Sequence, residues 1–365
     1  SSLGPIVTKG DINNDGKIDV YLSGASGQAG ELYVQTNTGF IKQTIPIFLE
    51  DAIHEDLEAL FFDADGDGDQ DLYVVSGGNE FKEFSPLYKD RLYLNDGQGK
   101  FSKSNQSFYN SSGKTVASID YDQDGDLDII VGNRIIPQKF PMHVESIIYQ
   151  NNDGKFKNVA SLIAPELRDF GIINKVITTD FNNDGWQDFI AVGEWTHIGM
   201  FQNNNGNFMD VSEDYGLKDQ KGWWYSIIET DLNKDGFKDY VVGNVGENSK
   251  YKGTPAKPLR IYGEDFDDNG THDIVLSYQY KGLYVPFRGK ECSTQQMPFI
   301  SEKFPTYNEF ANSTLEDIYG DKIHTAYQRE ANQFKSLVLL NTGNGSFKKI
   351  ELPNIVQTLP ILSMD

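Results

Sequence analysis

The sequence predicts an all-β fold: a seven-bladed β-propeller, its last blade incomplete, with acidic turn loops and one partly helical insertion. Three observations predict it. A nine-residue acidic motif occurs six times, a strand-like run flanks each copy on both sides, and a second hairpin motif keeps the same period.

The motif reads Asp-x-[Asp/Asn]-x-[Asp/Asn]-Gly-x-x-Asp. At positions 1, 3, 5, 7 and 9 the first copy carries Asp11, Asn13, Asp15, Lys17 and Asp19, and the second Asp63, Asp65, Asp67, Asp69 and Asp71. The third has Asp120, Asp122, Asp124, Asp126 and Asp128, and the fourth Asp180, Asn182, Asp184, Trp186 and Asp188. The fifth has Asp231, Asn233, Asp235, Phe237 and Asp239, and the sixth Asp265, Asp267, Asn269, Thr271 and Asp273. Side-chain oxygens at positions 1, 3 and 5 converge when the chain turns tightly, and Gly at position 6 permits that turn. Position 7 offers its backbone carbonyl and position 9 closes the shell. A set of hard oxygen ligands suits Ca²⁺ better than zinc or copper, and about six structural sites are expected. Ordinary Asx turns use the same residues, but not in six copies of one pattern. An EF-hand needs a Glu at position 12 followed by a helix; here that position is Leu22, Val74, Val131, Ala191, Val242 and Leu276. EF-hands are excluded.

Short apolar runs follow each loop, such as LYVVSGG and IIVGN, and others precede it, such as EALFF and TVASI. Each loop therefore joins two neighbouring strands. The runs after the loops are continuous rather than alternating, which predicts burial on both faces and sheets stacked on one another. The second motif occurs at 32–40, 92–101, 148–156, 200–208 and 338–347 as strand, Asn/Gly turn and Phe. Two hairpins per ~50 residues make a four-stranded blade.

Composition narrows the function. The chain has 365 residues and a formal charge of −22, which disfavours nucleic acid as a partner. A single cysteine, Cys292, excludes a disulfide framework and a thiolate-rich metal site. No apolar run reaches the ~18 residues of a membrane span.

The DxDxDG loops together with the Y-x-N-x-G-x-F hairpins resemble the FG-GAP/VCBS repeat family of β-propellers, which includes the integrin α head and the cartilage acidic protein group. Segments such as SLGPIVTKGDINNDGKIDV and GWWYSIIETDLN look most like surface lipoproteins of Bacteroidota. The resemblance implies a calcium-dependent propeller outside the cell, attached to the outer membrane of a Gram-negative bacterium. It implies no single reaction.

Residues 1–365 are read as one propeller domain. Only 34 residues separate the fifth loop from the sixth, and the fifth unit is read as lacking its second hairpin. The hairpin near Asn341 is assigned to the sixth unit, which makes 277–336 an insertion there, with helical spacing over 305–319. It is read either as a functional rim element or as a cap over the fifth unit. At the C-terminus the repeat spacing places Asp365 at position 1 of a seventh loop, behind a strand-like LPILSM, so the chain is read as a fragment of a longer protein.

Trp195, Trp223, Trp224 and Tyr225 are the candidate recognition residues, set against blade-to-blade packing as the plainer reading. Three functions remain: a cell-surface module that binds or scaffolds a protein partner, a glycan-binding module, and a polysaccharide-degrading enzyme. The enzyme ranks last, because no Lys/Arg/His group is concentrated in the sequence and the net charge repels acidic polymers. No catalytic residue is assigned. The loops hold 23 of the 54 acidic residues, so six bound divalent ions would leave a charge of about −10.

Overall fold

The computed structural model describes residues 5–364; the seventh-loop residue expected at Asp365 lies outside them. The described residues form six antiparallel sheets, one fewer than the expected number of blades. The segment 359–364 forms no strand. Instead, Ile361 donates its N–H to the Asn244 carbonyl and accepts from Ser226 Oγ.

The chain divides into two compact units. The first comprises residues up to Pro137, Val144–Val192 and Gly199–Ser212; the second comprises Gln138–His143, Gly193–Ile198 and Glu213 onward. In the first unit, four sheets follow the repeat in sequence order. The first sheet is Val7–Gly10, Asp19–Leu22, Glu31–Thr36 and Gly39–Gln43. The second is Asp56–Phe62, Asp71–Ser76, Arg91–Leu94 and Ser102–Lys103. The third is Gly113–Ile119, Asp128–Asn133, Ile147–Gln150 and Lys157–Asn158. The fourth is built on Ile172–Thr179, Asp188–Thr196, Gly199–Asn203 and Phe208–Asp210. All six loops join the two strands predicted to flank them.

Three apolar clusters fill the spaces between these four sheets. Leu72 and Val74 face the first sheet, while Tyr73 and Val75, one residue out of phase, face the third. Ile129 and Val131 look back to the second sheet and Ile130 forward to the fourth. The strands Asp71–Ser76 and Asp128–Asn133 are consequently buried at every residue, which is why they read as continuous apolar runs. The hairpin Phe packs backward: Phe101, Phe156 and Phe208 enter the clusters shared with the preceding sheet.

The Asn of the second hairpin fastens neighbouring sheets. Asn151 donates Nδ2 to the Ala64 carbonyl in the loop of the preceding sheet (2.9 Å) and to the Leu127 carbonyl in its own (3.1 Å). Its Oδ1 accepts from Gly154 N–H, closing the hairpin turn. Asn95 and Asn203 repeat the arrangement, reaching the Ile12 and Tyr121 carbonyls.

The second unit corrects the repeat bookkeeping. The hairpin Leu337–Asn341 and Phe347–Glu351 pairs with Asp239–Gly243 and completes the fifth sheet, whose first strand is Ser226–Thr230. The fifth sheet does not lack its second hairpin; the hairpin arrives after an excursion of residues 244–336. That excursion contains the entire sixth sheet, ordered Leu283–Pro286, Asp273–Tyr280, Leu259–Glu264 and Tyr327–Ala331. Repeat spacing cannot detect this, because strand pairing is set in space and a whole unit can intervene between two strands of another.

Five short helices follow the Leu283–Pro286 strand. Two of them, Tyr307–Ala311 and Leu315–Tyr319, lie in the stretch predicted to be helical, each opened by a capping box from Thr306/Glu309 and Thr314/Asp317. Their buried faces, with Met297, Ile300, Phe304 and Ile323, pack on Tyr262, Phe266 and Val275 of the sixth sheet. Among the described residues no helix is long and apolar enough to cross a membrane.

Replacing Asn151 by Ala leaves the Ala64 and Leu127 carbonyls unpaired beside a fully packed core. We expect a loss of about 2 kcal/mol or more in denaturant unfolding, against less than about 0.5 kcal/mol for the exposed neighbour in Asn152→Ala.

Candidate metal centres and clefts

All six loops share one backbone path. Position 4 is left-handed in each: Asn14, Gly66, Gln123, Asn183, Lys234 and Asp268. So is the position 6 Gly, from Gly16 (φ 80°) to Gly270 (φ 82°). The sequence pointed to position 6 alone; position 4 carries six different environments and five residue types, so no pattern marks it.

Position 9 is the most buried and the most uniform. Asp19, Asp71, Asp128, Asp188, Asp239 and Asp273 are each at most 2% exposed. In every loop its Oδ2 accepts the N–H of position 2, at 2.9 to 3.2 Å. In five loops its Oδ1 accepts a backbone N–H from the third strand of the same sheet: Gln35, Asn95, Asn151, Asn203 and Asn341, at 2.7 to 2.8 Å. In the sixth, Gln296 Nε2 from the helical segment takes that place at 3.2 Å.

The loops then divide. In the second, third and sixth, the carboxylates of positions 1, 3 and 9 bring oxygens within 4.8 Å of one another: Asp63/Asp65/Asp71, Asp120/Asp122/Asp128 and Asp265/Asp267/Asp273. These same loops hold buried carboxylate oxygens without a hydrogen-bond partner, on Asp69, Asp120, Asp122 and Asp267. Buried anionic oxygens left unpaired and crowded together fit a cation as their missing partner. Position 5 stands outside these groups; Asp67 and Asp124 accept the N–H of position 7.

The first, fourth and fifth loops have Asn at position 3, and none of them gathers three carboxylates among the described residues. Asn182 and Asn233 donate Nδ2 to Asp184 and Asp235 at 2.8 and 2.7 Å, and Lys17 pairs with Asp15 at 2.8 Å. In each of these loops the position 5 carboxylate thus has a side-chain partner within the loop.

Burial raises Asp71, Asp128 and Asp188 to about 7, although two backbone N–H groups on each favour the charged form. Asp69 is raised to about 6 by burial and by its neighbours Asp67 and Asp65.

The candidate aromatics lie together in the second unit. Trp224 is fully buried, with Nε1 donating to the Gln220 carbonyl, and presents no open face to a ligand. Trp223 stacks edge-on with Trp195, Tyr251 and Phe334 at 5.0 to 5.3 Å. Tyr225 is half-buried beside the fifth sheet, its N–H bonded to the Gly243 carbonyl. Trp195 is 4% exposed and left-handed (φ 61°), and lines a cleft of about 310 Å³ with His197, Lys221, Arg329 and Glu330.

Sequence reading missed an exposed aromatic group in the first unit. Phe84 is 72% exposed at φ 60°, with Tyr109 and Phe81 also exposed; Asn110 Nδ2 donates to the Phe84 carbonyl. A bulky residue held left-handed and turned to solvent is an outlier that folding alone does not require. The only signal in sequence is the aromatic spacing of EFKEF, which no repeat marks.

The FG-GAP-like repeat profile matches residues 11–74, 63–131 and 180–242, half of the chain in total. Human integrin alpha-6 is 28% identical over 148 residues, covering 38% of this chain and 13% of that protein. Cartilage acidic protein 1 of Xenopus tropicalis is 25% identical over 256 residues, covering 64% of this chain and 39% of that protein. The chain thus spans well under half the length of either relative. A lectin of Agrocybe aegerita that recognises non-reducing terminal N-acetylglucosamine superposes with a TM-score of 0.43 at 18% identity, covering 90% of this chain and 71% of the lectin; a likeness at this level carries no weight here. On the matched repeats and the shared path of its six acidic loops, the chain belongs to the FG-GAP-like repeat family.

Proposed function

We propose that this chain is a calcium-stabilised FG-GAP propeller module that works outside the cell as a docking unit for a protein partner. The observation that carries the cation reading is the set of unpaired buried carboxylate oxygens in the second, third and sixth loops. Ca²⁺ suits an all-oxygen donor set of this kind. The other three loops share the backbone path, and their Asn amides present an oxygen once turned over, so six sites of two strengths are expected. Extracellular calcium modules bind at about 10⁻⁴ to 10⁻³ M. At ~1 mM Ca²⁺ and ~0.1 mM dissociation constant, each site adds about 1.4 kcal/mol by mass action.

The docking reading rests on Phe84, Phe81 and Tyr109. Exposed aromatics grouped on one surface are the usual anchors of protein interfaces. The setting that the surface-lipoprotein resemblance suggests is the outer membrane of a Gram-negative bacterium. A glycan reading through the four candidate aromatics is weaker, because Trp195 and Trp224 are buried. A hydrolytic or lytic reading has no acid–base pair assigned to it.

Calorimetric titration of the chelated protein with Ca²⁺ should resolve a tighter class of three sites, and Asp122→Asn should remove one of them. Titration curves with no saturable heat would overturn the cation reading. The ion-free protein should also lose stability as pH rises. Asp71, Asp128 and Asp188 have folded values near 7, above the unfolded carboxylate range. Their favourable contribution is therefore complete below about pH 4 and is lost as pH climbs through about 7. In excess chelator the melting temperature should fall between pH 5 and 8; with Ca²⁺ bound the fall should disappear. For docking, Phe84→Ala should weaken capture of the partner from native membranes at least tenfold with an unchanged melting curve; equal capture would reject this surface.

A further inference from the structure

Two neighbouring residues of the second sheet depart from what the third and fifth sheets place there. The aliphatic residue at loop position 12 pairs with the first residue of the third strand. In the third, fourth and fifth sheets that partner is Ile147, Gly199 and Leu337, all buried; in the first it is the half-buried Glu31, and in the second the buried Arg91. The residue before it accepts an N–H from the end of the second strand. Ser146 and Ser336 do so through Oγ at 2.9 Å, whereas in the second sheet Asp90 does so through a carboxylate at 2.8 Å. In the third and fifth sheets a Ser and an aliphatic residue thus fill this place, and the second sheet holds a buried acid and a buried base there instead.

That exchange is costly for stability. Arg91 is 5% exposed and Asp90 3%. The Arg91 guanidinium pairs with Asp56 and donates to Ser76 Oγ at 3.2 Å and Tyr93 OH at 3.4 Å, yet its Nε has no partner. Tyr21 and Tyr73 donate their hydroxyls to Asp56 and Asp90 at 3.0 and 2.8 Å. Hydrophobic residues of similar volume are as stabilising as such buried pairs or more so. A buried ionic network in one repeat and not in its neighbours thus needs a reason beyond folding.

The network opens on a cleft of about 380 Å³, within the range of small-ligand sites. Lys89, Arg91 and Lys103 bring cationic groups to it, with Lys103 held by Asp51 at 2.7 Å. Ser104, Asn105 and Gln106 add uncharged donors and acceptors, and His54 brings its imidazole ring. Asp56 and Asp51 already pair with Arg91 and Lys103, and burial lifts Asp90 to about 7, so Lys89 supplies the positive charge that these carboxylates do not match.

We propose that this cleft binds a sugar acid, a single monosaccharide unit carrying a carboxylate. The carboxylate meets the Lys89, Arg91 and Lys103 donors, where charge-assisted hydrogen bonds are strongest. The hydroxyls meet the side chains of Ser104, Asn105 and Gln106. The cleft volume and the chain's charge of −22 limit the ligand to one acidic unit rather than a polyanion.

The test uses the full chain with Ca²⁺ present, titrated with D-glucuronate, D-galacturonate, D-glucose and glutarate and followed by amide chemical shifts. We expect one of the uronates to bind at least tenfold tighter than glucose and glutarate, with shifts centred on 89–91 and 103–106. Lys89→Ala and Asn105→Ala should each weaken it at least threefold with unchanged melting curves. Arg91→Leu, which installs the residue found in the fifth sheet, should abolish binding. Should Arg91→Leu fail to fold, the other two variants decide. Uronate binding no tighter than glucose or glutarate, or unaltered by Lys89→Ala and Asn105→Ala, overturns the proposal.

Discussion

The structure depends on one carboxylate per repeat. The Asp at loop position 9 sits beneath its loop with both oxygens engaged, one by the second residue of the loop and one, in five sheets, by the first amide of the second hairpin turn. The first bond spans seven residues in every loop; the second reaches from 15 to 24 residues in four sheets and 102 in the fifth, and together they fix the loop against the third strand and set the register of the sheet. Burial opposes ionisation of this group more than the two anchoring N–H bonds favour it, and a cation nearby would reverse the balance. A cation held by these oxygens would thereby be linked to folding.

From that anchor the sheets stack. The side-chain amide of the hairpin Asn crosses to the preceding loop, and the hairpin Phe follows it into the same interface. Each repeat is therefore completed by its neighbour, as expected where single units cannot bury both faces alone. The sixth sheet meets the same need differently. Its loop is served by Gln296 and Lys322 from the helical segment, with Lys322 donating to the Asp265 carbonyl at 2.7 Å and pairing with Asp268. Part of the segment thus caps a metal-type loop, in the sixth sheet rather than the fifth.

The proposed docking and ligand sites lie away from this repeated framework. The residues with no repeat counterpart are the exposed Phe84, the left-handed Trp195, and the Asp90–Arg91 pair. Each costs something in strain or desolvation. A repeat protein supplies its own internal control for such judgements, since the neighbouring sheets show what the fold accepts at the same position.

The six loops, the strands beside them and the five Asn/Gly hairpins were legible in the sequence, because turn chemistry and alternation of burial act over a few residues. The burial of both faces of Asp71–Ser76 was also legible, as a run without polar interruption. Which hairpin completes which sheet was not: Leu337 meets Val242 across an intervening 94 residues, and only strand pairing decides it. Nor was the difference between loops, where an Asn at position 3 turns its amide onto position 5 and an Asp cannot. The repeat and the oxygen-donor character of its loops could be read along the chain, because both are local properties. Tertiary structure decided the order of strands, the burial of Arg91 and the exposure of Phe84, because these depend on what lies across a sheet rather than along the chain.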